Sequence, residues 1–170
     1  MPNNNIQVIP FCAPLPQGEG TGVVGTITLR GQSAIIWFGW GEIETCENDA
    51  TMIVERSVGE VAHIGDGNPA MGSLSLSMPP PKHINYAPPS TQLLGGNSEE
   101  DMILGQQVSC RLAKKIGWPI YVSCSFNESG EEGNEFGLGL DVSPAMAVAV
   151  AEKEVAKILL REKERMTGDS

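Results

Sequence analysis

STQLLGGNSEEDMILGQQVSCRLAKKIGWPIYVSCSF, residues 90–126, places an extended segment, a helix and a strand one after another, each marked by its own chemistry. Asn97 or Ser98 can cap a helix whose first turn carries Glu99, Glu100 and Asp101, acids opposite in sign to the positive end of the helix dipole. Leu104, Val108, Leu112 and Ile116 recur at i+4 as a buried stripe. Lys114 and Lys115 fall in the last turn, and Gly117 is placed as C′ before Trp118-Pro119. PIYVSCSF then alternates as a strand, with Val122, Cys124 and Phe126 on one face and Tyr121, Ser123 and Ser125 on the other.

Upstream, strands dominate. Residues 6–12 (IQVIPFC) predict a first strand that runs into the proline-bounded loop PLPQGEG. VVGTITLRG alternates Ile27 and Leu29 against Thr26 and Thr28, and Gly31-Gln32 suits a tight turn into SAIIWFGW, which is apolar on both faces like a central strand. Residues 41–70 are acidic and weakly patterned, with short strands expected at Thr51–Glu55 and Glu60–Ile64. MGSLSLSMPPP predicts a clean strand with Leu74, Leu76 and Met78 inward and Ser73, Ser75 and Ser77 outward, stopped by Pro79 to Pro81. Downstream, EFGLGLD reads as a strand with Gly137 and Gly139 on its second face. Ser143-Pro144 opens a final helix as N-cap and N1, extending to about Arg165. The order implies one α+β domain over residues 1–170, a mainly antiparallel sheet of about six strands with two main helices packed on one face.

The charges and motifs argue against several function classes. A net charge of -10, from 21 acids and 11 bases, repels phosphate backbones and anionic lipids, so neither nucleic acid nor membrane is expected as a partner. No apolar stretch approaches a membrane span, and the first residues lack the features of a secretory signal, so an intracellular protein is expected. Cys12, Cys46, Cys110 and Cys124 form no C-x-x-C pair and read as reduced thiols, with no metal site. GTGVVG at 20–25 matches G-x-G-x-x-G, but no helix can be read after it, as a dinucleotide site requires. LLGGNSEED lacks the Lys-Ser/Thr of a phosphate loop and places three acids where a phosphate would sit. No nucleophile–base constellation is legible, and neither a catalytic residue nor a cofactor is expected.

One face recurs across the strands. Thr26 and Thr28, Ser73, Ser75 and Ser77, Ser123 and Ser125, and Gly137 and Gly139 are small and uncharged, whereas a solvated sheet face usually carries Lys and Glu. Two readings follow: a face that packs sheet to sheet on a partner subunit, or a plain exposed Ser/Thr face.

Taken together, AIIWFGW, SLSLSMP and above all the block 90–126 resemble the proteasome assembly chaperones, specifically the proteasome assembly chaperone four family. The matching positions are Ser90, Thr91, Leu93, Leu94, Gly95, Leu112, Ala113, Lys114, Lys115, Val122 and Ser123. The resemblance spans about residues 22–165. Relative to shorter members, residues 41–70 and NESGEEGNE look like insertions, and residues 1–20 an N-terminal extension with a strand. The resemblance implies a non-enzymatic chaperone of 20S proteasome assembly that pairs with proteasome assembly chaperone three. The pair would hold α-type subunits and promote α-ring formation in the cytoplasm and nucleus. It further suggests Ser90, Thr91, Leu93, Leu94 and Gly95 as partner-binding residues, and the small-residue face as the dimer interface. The alternatives are proteasome assembly chaperone three itself or another heterodimeric adaptor and, more distantly, a nucleotide-binding or small-molecule hydrolase.

Overall fold

The computed structural model describes residues 6–15, 21–42, 72–81, 88–96, 98–126 and 143–168. The strands expected at Thr51–Glu55, Glu60–Ile64 and in EFGLGLD, with Gly137 and Gly139, lie outside these residues, as do Asn97 and most of 41–70.

Six strands form one sheet: β1 (Ile6–Pro14), β2 (Thr21–Arg30), β3 (Ala34–Glu42), β4 (Ser73–Ser77), β5 (Ser90–Leu94) and β6 (Ile120–Ser125), in the spatial order β1-β2-β3-β6-β4-β5. Helices α1 (Glu99–Ile116) and α2 (Pro144–Gly168) cover one face, α1 over β4, β5 and β6, and α2 over β1 and β2. Four of the five strand pairings are antiparallel, and β3 runs parallel to β6 at the centre, so the α+β sheet is mixed. That pairing explains why AIIWFGW is apolar on both faces: it lies between two partners in the middle of the sheet.

Local chemistry sets the boundaries. The β2–β3 hairpin closes through reciprocal Arg30–Ser33 backbone bonds of 3.1 and 3.2 Å, with Gly31 at φ 56° supplying the left-handed turn residue. β1 extends to Pro14, two residues beyond the expected strand, and tolerates Pro10 because it is the edge strand of the sheet among the described residues. Ser98 is the N-cap of α1, its Oγ accepting the Asp101 N–H at 3.1 Å, and Gly117 closes the helix at φ 79° with its N–H donated to the Ala113 carbonyl. Ser143 caps α2, which runs three residues past the expected end. The Lys163 Nζ of α2 donates to the Ile116 carbonyl at 2.6 Å and so ties the second helix to the end of the first.

Between the layers lies the core: Ile27, Leu29, Ile36, Phe38 and Val122 from the sheet, with Leu112, Ile116, Val155 and Leu159 from the helices, all at most 1% exposed. Each such side chain contributes about 1.5–3 kcal/mol by leaving water. Phe126 packs edge-on to Trp40 at 4.8 Å and tilted against Phe38 at 5.8 Å, closing the core where β3 and β6 end.

GTGVVG belongs to this architecture. β2 pairs from Thr21 rather than from Val23 as the sequence suggests, so five of the six residues, 21–25, are strand before any apolar alternation is visible. Gly25 faces the Phe11 ring, and a Cβ there would come within 2.7 Å of that ring and collide with the Trp37 carbonyl. Gly25→Ala is therefore expected to lower stability by about 1–3 kcal/mol, the range for overpacking a filled core, with urea unfolding as the measurement.

Candidate partner-binding surfaces

Strand register decides which residues share a face, and it divides the small-residue set in two. Ser75 pairs with Val122 and Ser73 with Cys124, so the β4 serines stand on the helix-covered side. Ser73, Ser75 and Ser77 are each 0% exposed, which corrects their assignment to the outer face. The reason lies in α1: Asp101, Gly105 and Ser109 recur at i+4, a stripe of short side chains beside the leucine stripe. A Cβ added to Gly105 would lie 3.9 Å from the hydroxyls of Ser73 and Ser75, so the helix lies too close for leucines between it and β4. Hydroxyls bridge the same seam, with Ser109 Oγ 2.9 Å from Ser77 Oγ and 3.1 Å from Ser90 Oγ. Cys110 Sγ donates to the Pro88 carbonyl at 3.1 Å.

Asp101 carries more than a dipole interaction. It is fully buried, and its Oδ2 accepts the Phe126 N–H at 2.9 Å, fastening the start of α1 to the end of β6. Sequence pattern gave it only the dipole role it shares with Glu99 and Glu100; its i+4 spacing to Gly105 and Ser109 was the available clue.

On the uncovered face the register builds rows. One runs Val8, Thr28, Ile35, Tyr121, Leu76, Thr91, and the next Pro10, Thr26, Trp37, Ser123, Leu74, Leu94. Cys12, Val24, Gly39 and Ser125 make a third. Thr26, Thr28, Ser123 and Ser125 thus stand where the sequence placed them, now among aliphatic and aromatic neighbours. No charged residue occurs in these three rows. Within these rows Val8, Ile35 and Leu94 are exposed by 54, 48 and 52%, a concentration of apolar surface in a chain with ample charge elsewhere. The Ser123 hydroxyl is buried and makes no hydrogen bond to the described residues.

The Ser90–Gly95 segment divides similarly. Ser90 is held inward by Ser109, while Thr91, Leu93, Leu94 and Gly95 are exposed along the outermost strand. A register shift sets Gln92 opposite Ser75 and Leu94 opposite Leu74, leaving Leu93 as the extra residue, 45% exposed. Gln92 Nε2 donates to the Leu94 carbonyl at 3.3 Å.

Among the described residues no cluster of three or more His, Cys, Asp or Glu could hold a metal ion, and no helix is long and apolar enough to cross a membrane. Burial, reinforced by Glu154, pushes the Cys12 thiol up from its ordinary value, away from thiolate reactivity. At GTGVVG a strand paired on both sides stands where a phosphate site would need a helix start.

A family model, proteasome assembly chaperone 4, matches residues 23–126, more than half of the chain. Among solved structures, a chain from the crystal structure of a novel chaperone complex for yeast 20S proteasome assembly is similar, with a TM-score of 0.50 and 12% sequence identity. The match covers 93% of this chain and 97% of that one, a likeness of fold. No curated protein sequence matches the chain.

Two substitutions test the α1 seam. Asp101→Ala removes the acceptor of a buried N–H and is expected to cost about 1.5–3 kcal/mol in urea unfolding. Ser75→Glu forces a carboxylate under α1 and is expected to prevent folding, seen as loss of near-UV dichroism, whereas an outward Ser75 would leave the spectrum unchanged.

Proposed function

The chain belongs to the proteasome assembly chaperone 4 family, and on that premise we propose that it is a non-enzymatic chaperone of 20S proteasome assembly that pairs, through the outer face of its sheet, with a proteasome assembly chaperone three-like subunit. The pair holds α-type subunits while the α-ring forms, in the cytoplasm and the nucleus. The observation that carries the pairing is the uncharged outer face, three residue rows deep and up to six strands wide. Trp37 stands between the small Thr26 and Ser123, and Tyr121 between Ile35 and Leu76, so the face offers both relief and apolar area to a second sheet. The family match and the likeness to a chain of a yeast 20S proteasome assembly chaperone complex support the role.

The exposed edge at β5 is the proposed contact for the α-type subunit. Leu93 and Leu94 supply apolar area there, and the side of the strand without a partner among the described residues supplies backbone donors and acceptors for an extended segment. Binding energy at that edge would favour one order of subunit addition, and a clash with a later subunit would release the chaperone.

Ile35→Glu and Thr28→Glu place carboxylates in the outer face without touching the core. Co-expressed with proteasome assembly chaperone three, either variant is expected to elute as a monomer by size-exclusion chromatography with light scattering, with an unchanged melting temperature. A persistent one-to-one complex would remove the face from the interface. Leu93→Asp with Leu94→Asp should leave the pair intact and weaken capture of α-type subunits by at least about tenfold, the effect of losing one hot spot.

A further inference from the structure

The basic residues of this acidic chain are gathered on its helices. Eight of the eleven lysines and arginines lie on α1 and α2, along with seven of the twenty-one acids. Where the two helices run side by side, a groove of about 550 Å3 opens between them. Its floor is apolar and shallow, made by Leu104, Val148 and Ala156, and the small side chain of Ala149 leaves one wall low. Arg111 of α1 and Glu152 of α2 cross it as a two-pronged ion pair, with Nε 2.9 Å from both carboxylate oxygens and Nη2 2.6 Å from Oε2. This pair neutralises the one acid in the groove. Lys115 on the α1 wall and Lys153 on the α2 wall remain, and neither has an ion-pair partner among the described residues.

We propose that this α1–α2 groove docks an acidic peptide segment of a partner protein, whose carboxylates pair with Lys115 and Lys153 while its aliphatic side chains rest on the alanine and leucine floor. Charge complementarity selects the occupant. Two free ammonium groups on facing walls attract anions locally, in a molecule whose overall charge of -10 repels them. The apolar floor favours a polypeptide over a nucleic-acid strand, which would bring a long array of phosphates into the overall field and offer few aliphatic groups in return. The groove opens on the helix layer, opposite the outer sheet face, and the proposal stands independently of how that face pairs.

A random peptide array sorted by net charge, probed with the labelled full chain, tests it. Signal is expected to concentrate on acidic peptides and to fall about tenfold in the double variant Lys115→Glu/Lys153→Glu, a change of about 1.4 kcal/mol. Ala149→Trp, which fills the groove without changing its charge, should reduce the signal comparably. Arg30→Glu/Arg161→Glu carries the same charge change outside the groove and should preserve it. All variants alter exposed positions, and unchanged far-UV dichroism confirms folding. Absence of a bias toward acidic peptides, equal loss in the Arg30/Arg161 control, or full retention in Ala149→Trp would each overturn the proposal. So would displacement of the peptides by single-stranded DNA at equal charge concentration, which would reassign the groove to nucleic acid.

Discussion

α1 lies close enough to β4 that only serines fit between them, and much of the molecule follows from that contact. Gly105 and Ser109 bring the helix down, Ser73, Ser75 and Ser77 accept it, and the Ser109 hydroxyl joins β4 to β5. Because β4 turns its serines inward, it must turn Leu74 and Leu76 outward. The inner seam therefore helps to determine the composition of the opposite surface: leucines forced onto that face join Ile35, Trp37 and Tyr121 from the central strands. In this half of the sheet, an apolar outer face and a small-residue seam are two readings of one alternation.

This also shows where the sequence could be read and where it could not. Caps and periodicity placed α1 within its observed bounds, because Ser98, the acidic first turn and Gly117 act locally. The β2–β3 turn was equally legible from Gly31, whose positive φ is a local requirement. SLSLS was read inside out: alternation gives the period of a strand but not its sign, and the sign was set by a helix some thirty residues later. Asp101 was missed for a related reason, since its partner, the Phe126 N–H, becomes available only when β6 has come to lie under α1. The parallel β3–β6 pair carries no local mark at all; short turns between successive strands suggested hairpins throughout.

The open sheet face was legible in the sequence in part. Thr26, Thr28, Ser123 and Ser125 do share the open face with Tyr121, as alternation placed them, but its other large groups are Ile35, Trp37, Leu74 and Leu76, which alternation had assigned to a core or left unplaced. Exposure of hydrophobic groups is a tertiary property and appears only once register is known. The exposed run from Thr91 to Gly95 was singled out by family likeness, and its place at the sheet edge supplies a physical reason for it.

The parallel joint between β3 and β6 divides the fold into two units with different histories. β4, β5, α1 and β6 form a unit that brings its own helical cover, with contacts short in sequence. β1, β2 and β3 form a meander of equally local pairings, yet its helical cover is α2, the last described element. During synthesis the meander thus emerges well before its helical cover, which is complete only when α2 has left the ribosome, while the second unit can close on itself first. Order of completion runs against order of translation. β1 to β3, within the first quarter of the chain, wait longest for their helical cover, the condition in which a nascent chain most needs protection.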